Sequence, residues 1–349
     1  MPVSGNKVHG FYIVLRTGVR YNKIREHMRL IQGKLGMSMN LKRYRLLTLV
    51  NTILMFIVLV AGVIVTNTGS GEGCGTDWPL CHGGFLPAWT AESVIEYFHR
   101  LVTGIAGIFV VSVFFATLLW KPARRKEAVW YACLIAFFTV LQSALGAAAV
   151  MWPQSDEVMA LHFGISLLAF TSTWLLYAYA DRWARTGVPK LAGLDGAPSA
   201  AAVFRFAAAL IVYCYIVIYL GAYIRHTATG GACVGWPLCN GQLLPPLEGA
   251  VGIAMTHRLA AALMLILVIA QTVFVRKRYQ AGTETAKRAT HVLWLLILQI
   301  LSGGMLALTM DQPDLYVFTE LIHTVVICAL FTVLCLLALH TRPRSSGES

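Results

Sequence analysis

The sequence predicts an all-α membrane protein with eight transmembrane helices, and three observations support this fold class: composition, apolar segments and the distribution of basic residues. Hydrophobic residues make up 57% of the 349 positions and charged residues 13%, which is more apolar surface than a water-soluble domain can bury. Eight segments of about 20 residues are each long enough to cross a hydrocarbon core about 30 Å thick. They lie near residues 46–66, 95–119, 128–150, 158–180, 203–224, 251–275, 288–309 and 318–340.

Lys and Arg are concentrated in alternate connections between these segments. The connections after the second, fourth and sixth segments are basic, whereas residues 67–94, 151–157 and 311–317 contain neither Lys nor Arg, and residues 225–250 contain only Arg225. Cytoplasmic loops of membrane proteins are enriched in Lys and Arg. We therefore expect both termini in the cytoplasm. We attribute the net charge of +12 to this topology rather than to nucleic-acid binding.

The sequence repeats itself at an offset close to 158 residues. Trp-Pro-Leu-Cys at 78–81 recurs at 236–239, and His-Arg-Leu at 99–101 recurs at 257–259. Two further features recur within a few residues of that offset: Leu-Gln at 141–142 and 298–299, and His162 and His323. Each half holds an even number of segments, so the halves share one orientation. We predict two four-helix bundles related as a parallel repeat.

These patterns divide the chain into five parts. They are a basic extension at 1–38, an N-terminal four-helix unit at 39–180, a cytoplasmic linker at 181–202, a C-terminal four-helix unit at 203–341 and a cytoplasmic tail at 342–349. The extension is either an amphipathic surface helix or a stretch upstream of a native start at Met37 or Met39.

Four histidines lie at one predicted depth, each about four residues into a helix that enters from the outer surface: His99, His162, His257 and His323. At 1.5 Å per residue, all four imidazoles lie roughly 6 Å below the outer edge. A lone histidine there is most simply hydrogen-bonded between helices, but four at one depth favour ligation. Two histidines per unit are too few for a metal held by protein alone. A haem, whose porphyrin supplies four nitrogens, fits this pattern.

Residues near these histidines suggest how a haem is held. Arg100 and Arg258 each follow a histidine, where they would pair with haem propionates or extend to lipid headgroups. Glu96 lies three residues before His99, on the same helical face, whereas the second half has Ala254 at that place. We interpret this difference as divergence into a catalytic and a supporting half, with a helix-start charge as the alternative. Several glycines would leave room for a macrocycle or allow helix packing: Gly104, Gly107, Gly146, Gly164 and Gly303.

The eight cysteines form two groups. Cys74 and Cys81, and likewise Cys233 and Cys239, lie in outer loops, where the compartment permits oxidation. Their spacings differ from the two-residue knuckle of zinc sites. We expect one disulfide in each loop, and redox activity of the first pair stays open. Four others are scattered within the apolar segments as small core residues: Cys133, Cys214, Cys328 and Cys335.

From about Met39 to the C-terminus, the chain resembles the haem A synthase family of Gram-positive bacteria. The motifs that carry the resemblance are Thr-Gly-Ser-Gly at 68–71, the 74–81 loop, Glu-Tyr-Phe-His-Arg at 96–100, Leu-His-Phe-Gly at 161–164, Gly-Ala-Tyr-Ile-Arg-His at 221–226 and Thr-His-Arg at 256–258. The resemblance implies an eight-helix oxidoreductase that oxidises the C8 methyl group of haem O to a formyl group, through successive hydroxylations. The product, haem A, serves terminal oxidase assembly.

The same resemblance implies roles for individual residues. His99 and His162 match the family's substrate-side histidines, and Glu96 matches its essential carboxylate. His257 and His323 match the ligands of a haem b in the second half. The family's disulfide-forming pair corresponds to Cys74 and Cys81, while a pair at Cys233 and Cys239 is not universal in the family.

The predicted surroundings follow from these assignments. We expect a multi-pass protein of the cell membrane whose haem sites lie toward the outer face. Its expected partners are a haem O synthase, an electron donor of unidentified type and membrane lipid. We expect no nucleic-acid partner, and the sequence is compatible with a homo-oligomer. One alternative is a di-haem b-type electron-transfer cytochrome, which would need neither Glu96 nor the cysteine loops. A transporter is the other, but it would place ionisable groups near the membrane midplane.

Overall fold

Eight long helices make up most of the residues that the computed structural model describes, which are 40–152 and 154–343. They are α1 (Asn40–Asn67), α2 (Ala91–Leu119), α3 (Lys126–Met151), α4 (Asp156–Thr186), α5 (Ala200–His226), α6 (Gly249–Arg276), α7 (Glu284–Leu308) and α8 (Pro313–Thr341). All eight are long and apolar enough to cross a membrane. Within the described ranges there is no β-strand, only two isolated bridges in the outer loops. The predicted fold class and the eight spans are confirmed.

Each helix extends past the apolar segment that predicted it, because polar residues continue the helix beyond the hydrocarbon. Two helices begin at a side-chain cap: Thr90 accepts a hydrogen bond from the backbone N–H of Ser93, and Thr283 accepts one from Ala286. Such caps satisfy backbone donors that have no partner within the helix. At the other end of α4, Gly187 adopts a left-handed conformation that stops the helix.

Helices α4 and α8 occupy the centre of the molecule. In the most apolar stretch of each, 56% of the residues are buried, against 11% for α3. Leu176 and Tyr179 of α4 are completely buried, as are Leu334 and Leu337 of α8. Helix α5 packs on both α4 and α8, so these three helices join the halves. The outer helices expose large apolar side chains, as expected for surfaces in contact with lipid: Phe115, Trp130, Ile266 and Trp294.

The connection between the halves is held against helix ends that the sequence places on the cytoplasmic side. Helix α4 runs to Thr186 and α5 begins at Ala200, so residues 187–199 form this connection. Glu127, at the start of α3, accepts hydrogen bonds from the backbone N–H groups of Leu191 and Ala192. Asp195 accepts one from the Thr285 hydroxyl at the start of α7, at 2.6 Å.

The predicted extension at 1–38 and the end of the tail lie outside the described residues. The arrangement of the halves as a parallel repeat, and the side of the membrane on which the termini lie, stay predictions.

Candidate functional site

All four predicted histidines line one cavity: His99, His162, His257 and His323. Its volume is about 1880 Å³, larger than the roughly 300–1,000 Å³ of a typical site for one small ligand. Residues of both outer loops also line it, among them Trp78 and Trp236. The structure therefore brings residues from both halves to one chamber with room for more than one large ligand.

Each of these histidines lies against a glycine of the preceding helix. A Cβ atom on that glycine would come within 3.0–3.3 Å of the imidazole Cε1, closer than most real contacts of a Cβ atom. Any larger residue would displace the ring. The pairs are Gly62 with His99, Gly146 with His162, Gly221 with His257, and Gly303 with His323.

The sequence analysis singled out Gly146 and Gly303 but missed Gly62 and Gly221. The signal for both was present, since they stand 159 positions apart (221 − 62), close to the offset of the repeat. Gly164 has a different role from the one proposed for it: a Cβ there would lie 2.6 Å from the Tyr215 hydroxyl of α5. It allows α4 and α5 to pack closely, as small residues do between membrane helices.

A glutamine on the neighbouring helix holds one histidine in each half. The amide nitrogen of Gln142 lies 2.8 Å from Nε2 of His162, and that of Gln299 lies 2.9 Å from Nε2 of His323. The sequence analysis used both glutamines as markers of the repeat and assigned them no role. In each half they fix the position of one imidazole that lines the cavity.

The two glutamine-held histidines differ at their second ring nitrogen. Nδ1 of His323 lies 2.9 Å from the hydroxyl oxygen of Ser302. Nδ1 of His162 is buried and has no hydrogen-bond partner, because Leu145 stands at the position that corresponds to Ser302 (302 − 157). A partner on the second nitrogen fixes the orientation of a ligating imidazole. His323 is therefore held more firmly than His162.

The two arginines beside histidines fasten the outer loops. Arg100 donates hydrogen bonds to the backbone carbonyls of Leu80 and Gly75. Arg258 does the same to Leu238 at 2.9 Å and to Cys233 at 2.8 Å. Both arginines line the cavity, and the pairing of their remaining donors with propionates stays a prediction.

Glu96 links the first loop to α2. Its carboxylate accepts a hydrogen bond from the backbone N–H of Cys74 at 2.7 Å and another from Nε of Arg100 at 3.0 Å. The side chain is 3% exposed and lines the cavity. Ala254 in the second half offers no such acceptor. The first loop is therefore anchored by an ion pair that the second loop lacks.

Both expected disulfides are present in the structure, Cys74–Cys81 and Cys233–Cys239. All four of these cysteines are at most 2% exposed. The remaining cysteines of the described residues are free thiols. Cys214 and Cys328 are buried as expected for core residues and Cys335 is partly buried, whereas Cys133 is exposed, so its assignment to the core was wrong.

A polar cluster that sequence reasoning missed joins the halves near the cavity. Arg225 of α5 donates to Asn67 of α1 at 2.7 Å and to Glu320 of α8 at 3.1 Å. Glu320 precedes His323 by three residues, the same spacing that separates Glu96 from His99. That spacing is the signal that would have found it.

The residues that line the cavity fit haem. In the described part of the chain, no three His, Cys, Asp or Glu side chains form a group that could hold a metal ion by themselves. Nδ1 of His99, of His162 and of His257 are buried without hydrogen-bond partners, and each of the four imidazoles is seated against a glycine. Imidazoles of this kind suit a macrocycle that supplies the other four nitrogens.

Comparison with known proteins agrees with this chemistry. Residues 45–335 match a family described as cytochrome oxidase assembly protein. A haem A synthase from Symbiobacterium thermophilum is 38% identical over 304 residues, which cover 87% of this chain and 97% of that protein. Haem A synthases from Geobacillus thermodenitrificans and Geobacillus kaustophilus are 40% and 39% identical, over 84% and 83% of this chain and 90% of each relative.

Proposed function

The chain belongs to the cytochrome oxidase assembly family of haem A synthases, and from this premise we propose how its two halves divide the reaction. It is a multi-pass oxidoreductase of the cell membrane that converts haem O to haem A, with haem as substrate and as cofactor. In our proposal the first half holds haem O between His99 and His162. The second half holds haem b between His257 and His323.

One observation carries this proposal: four imidazoles, each seated against a glycine, line a single chamber. Two imidazoles per half are what a haem requires on its two faces. When bound, the haem iron supplies the redox chemistry that the protein side chains lack.

The first half is assigned to the substrate because His162 is held less firmly than its counterpart His323. His99 and His257 do not differ in this way, since both have a buried Nδ1 without a partner. His162 has no partner on Nδ1, whereas His323 contacts Ser302 there. A substrate must enter and leave, while a resident cofactor must stay. We therefore assign reversible ligation to His162 and permanent ligation to His323.

Glu96 supports the same assignment. It is a cavity-lining carboxylate in a residue that is 3% exposed, and Ala254 stands at the corresponding position of the second half. In our proposal it exchanges protons with the substrate site or orients water there. Its bonds to Cys74 and Arg100 hold it in place and keep the first loop closed above His99.

The remaining roles follow from this division. The haem b of the second half passes electrons to the first half or stabilises the fold. Arg100 and Arg258 use their remaining donors on propionates. The haem sites face the outer surface, a haem O synthase supplies the substrate, and a separate donor supplies electrons.

The test is haem extraction, followed by chromatography and mass spectrometry, from cells that express this protein together with a haem O synthase. We expect haem A with the wild type and with His291→Ala, a control on α7 that is exposed and does not line the cavity. Glu96→Ala and His99→Ala should accumulate haem O and produce no haem A. Full haem A production by His99→Ala would overturn the assignment of the substrate to the first half.

A further inference from the structure

Two glycines of α2 line the cavity but serve no packing contact. A Cβ atom on Gly104 or on Gly107 would meet no other atom within 4 Å. Glycine weakens a helix relative to alanine, and in membrane helices it usually allows a neighbouring helix to approach. Since no helix approaches either glycine, these residues leave open space for another reason.

At the corresponding positions the second half carries larger side chains. With the offset of 158 that relates His99 to His257, Gly104 corresponds to Ala262 and Gly107 corresponds to Leu265. All four residues line the cavity. On this side of the chamber the second half is therefore filled where the first half is open.

Helices α3 and α7 show the same difference. With the offset of 157 that relates Gln142 to Gln299, Ser143 corresponds to Ile300 and Ala149 corresponds to Leu306. These four residues also line the cavity. At these four pairs of positions the smaller side chain is in the first half.

Two other pairs that line the cavity show the opposite order, Thr103 with Ala261 and Val150 with Ala307. The largest differences are those of Gly107 with Leu265 and of Ser143 with Ile300, so the extra space is local to these positions.

The open positions lie deeper in the membrane than the histidines. Gly104 and Gly107 follow His99 by five and eight residues, which places them roughly 7 and 12 Å further along the helix axis. Neighbouring residues that line the cavity there, Leu101, Ile105 and Ile108, are apolar. The extra space thus leads from the histidine level into an apolar region, which suits a hydrocarbon chain and excludes a polar ligand.

The two haems of the proposed function differ in this respect. Haem O carries a long farnesyl-derived tail, and haem b has none. We propose that the open face of α2 and α3, marked by Gly107 and Ser143, accommodates the farnesyl tail of haem O. Leu265 and Ile300 fill the equivalent space, so that the second half accepts only a haem without a tail. This inference rests on the proposed function, because it takes the first half as the substrate site.

The test compares the binding of haem O and of protohaem to the purified full-length protein in lipid nanodiscs, by absorption titration. Gly107→Leu installs the residue of the second half. We expect it to raise the dissociation constant for haem O at least about tenfold, a loss of about 1.4 kcal/mol, while the value for protohaem changes little. The matched control is Val111→Leu, on an exposed position of the same helix that does not line the cavity.

A reciprocal variant guards against a simple folding defect. Leu265→Gly combined with Ile300→Ser opens the second half. The triple variant that also carries His99→Ala should bind haem O in the second half, whereas the single variant His99→Ala should not bind haem O. Unchanged haem O affinity in Gly107→Leu would overturn the proposal, and so would equal loss of both haems.

The same titration separates this inference from the proposed function. If haem O binding by the wild type survives His99→Ala but is lost in His257→Ala, the assignment of the substrate to the first half fails, and the tail site fails with it. If His99→Ala abolishes haem O binding while Gly107→Leu leaves it intact, only the tail site fails.

Discussion

The amide nitrogen of Gln142 lies 2.8 Å from Nε2 of His162. If His162 were to ligate a haem through this nitrogen, the haem would have to displace the amide. The same would hold for Gln299, whose amide nitrogen lies 2.9 Å from Nε2 of His323.

The first prediction concerns Gln142→Leu, which removes the competing amide. A hydrogen bond of this kind contributes about 0.5–1.5 kcal/mol net, so we expect the dissociation constant for haem O to fall about two- to tenfold. Absorption titration of the purified protein measures it. Gln280→Leu is a suitable control, because Gln280 is exposed and does not line the cavity. Weaker binding in Gln142→Leu would show that the amide assists the site instead.

The second prediction concerns Ser302→Ala, which removes the closer of the two partners of Nδ1 of His323 and leaves only the amide nitrogen of Gln299, at 3.2 Å. Loss of such an outer partner typically lowers metal affinity about 10- to 100-fold, so the protein should lose haem b during purification. Haem content per polypeptide, read from the pyridine haemochrome spectrum, is the measurement. Ser112→Ala on α2, which removes only a bond to the helix's own Ile108 carbonyl, should retain haem. Equal haem content in the two variants would contradict the firm ligation assigned to His323.

The third prediction concerns Gly221→Ala. The added Cβ would lie 3.0 Å from Cε1 of His257, so the ring must shift or the helices must separate. We expect haem b occupancy to fall while the protein keeps its helical circular dichroism spectrum. Gly231→Ala, where a Cβ meets nothing within 4 Å, should behave as the wild type. Full occupancy in Gly221→Ala would mean that the ring can move without consequence.

The fourth prediction concerns Glu96→Ala. It leaves Arg100 partly buried without its counter-charge, a change that costs about 3–5 kcal/mol of folding free energy for a buried pair. Hydrogen exchange of the 74–81 loop should become faster, while exchange of the 233–239 loop stays the same. Glu92→Ala, at an exposed position of the same helix, should change neither loop. If the 74–81 loop exchanges at the same rate in Glu96→Ala and in the wild type, Glu96 does not hold this loop in place.

Sequence alone predicted the features that depend only on the order of residues along the chain. Hydrophobicity and the alternation of basic loops located the eight spans, and the repeat offset related His99 to His257 and Cys81 to Cys239. Such features need no knowledge of which helices touch. The four histidines could be placed at one depth because each lies at a similar distance from the outer end of its helix.

Contacts between helices required the tertiary structure. Gly62 lies against His99, Arg225 reaches Asn67 and Glu320, and Gly164 contacts Tyr215. These contacts depend on the rotation of each helix about its axis. Spans that are apolar on nearly all sides carry little periodic signal to report that rotation.

The sequence by itself thus determined the membrane class, the eight helices and the residue types of the site. Only the tertiary structure decided that Gln142 and Gln299 hold the histidines, that Ser302 secures one of them, and that Gly107 faces open space. The physical reason is that packing depends on three-dimensional distances between residues far apart in sequence, which no linear pattern records.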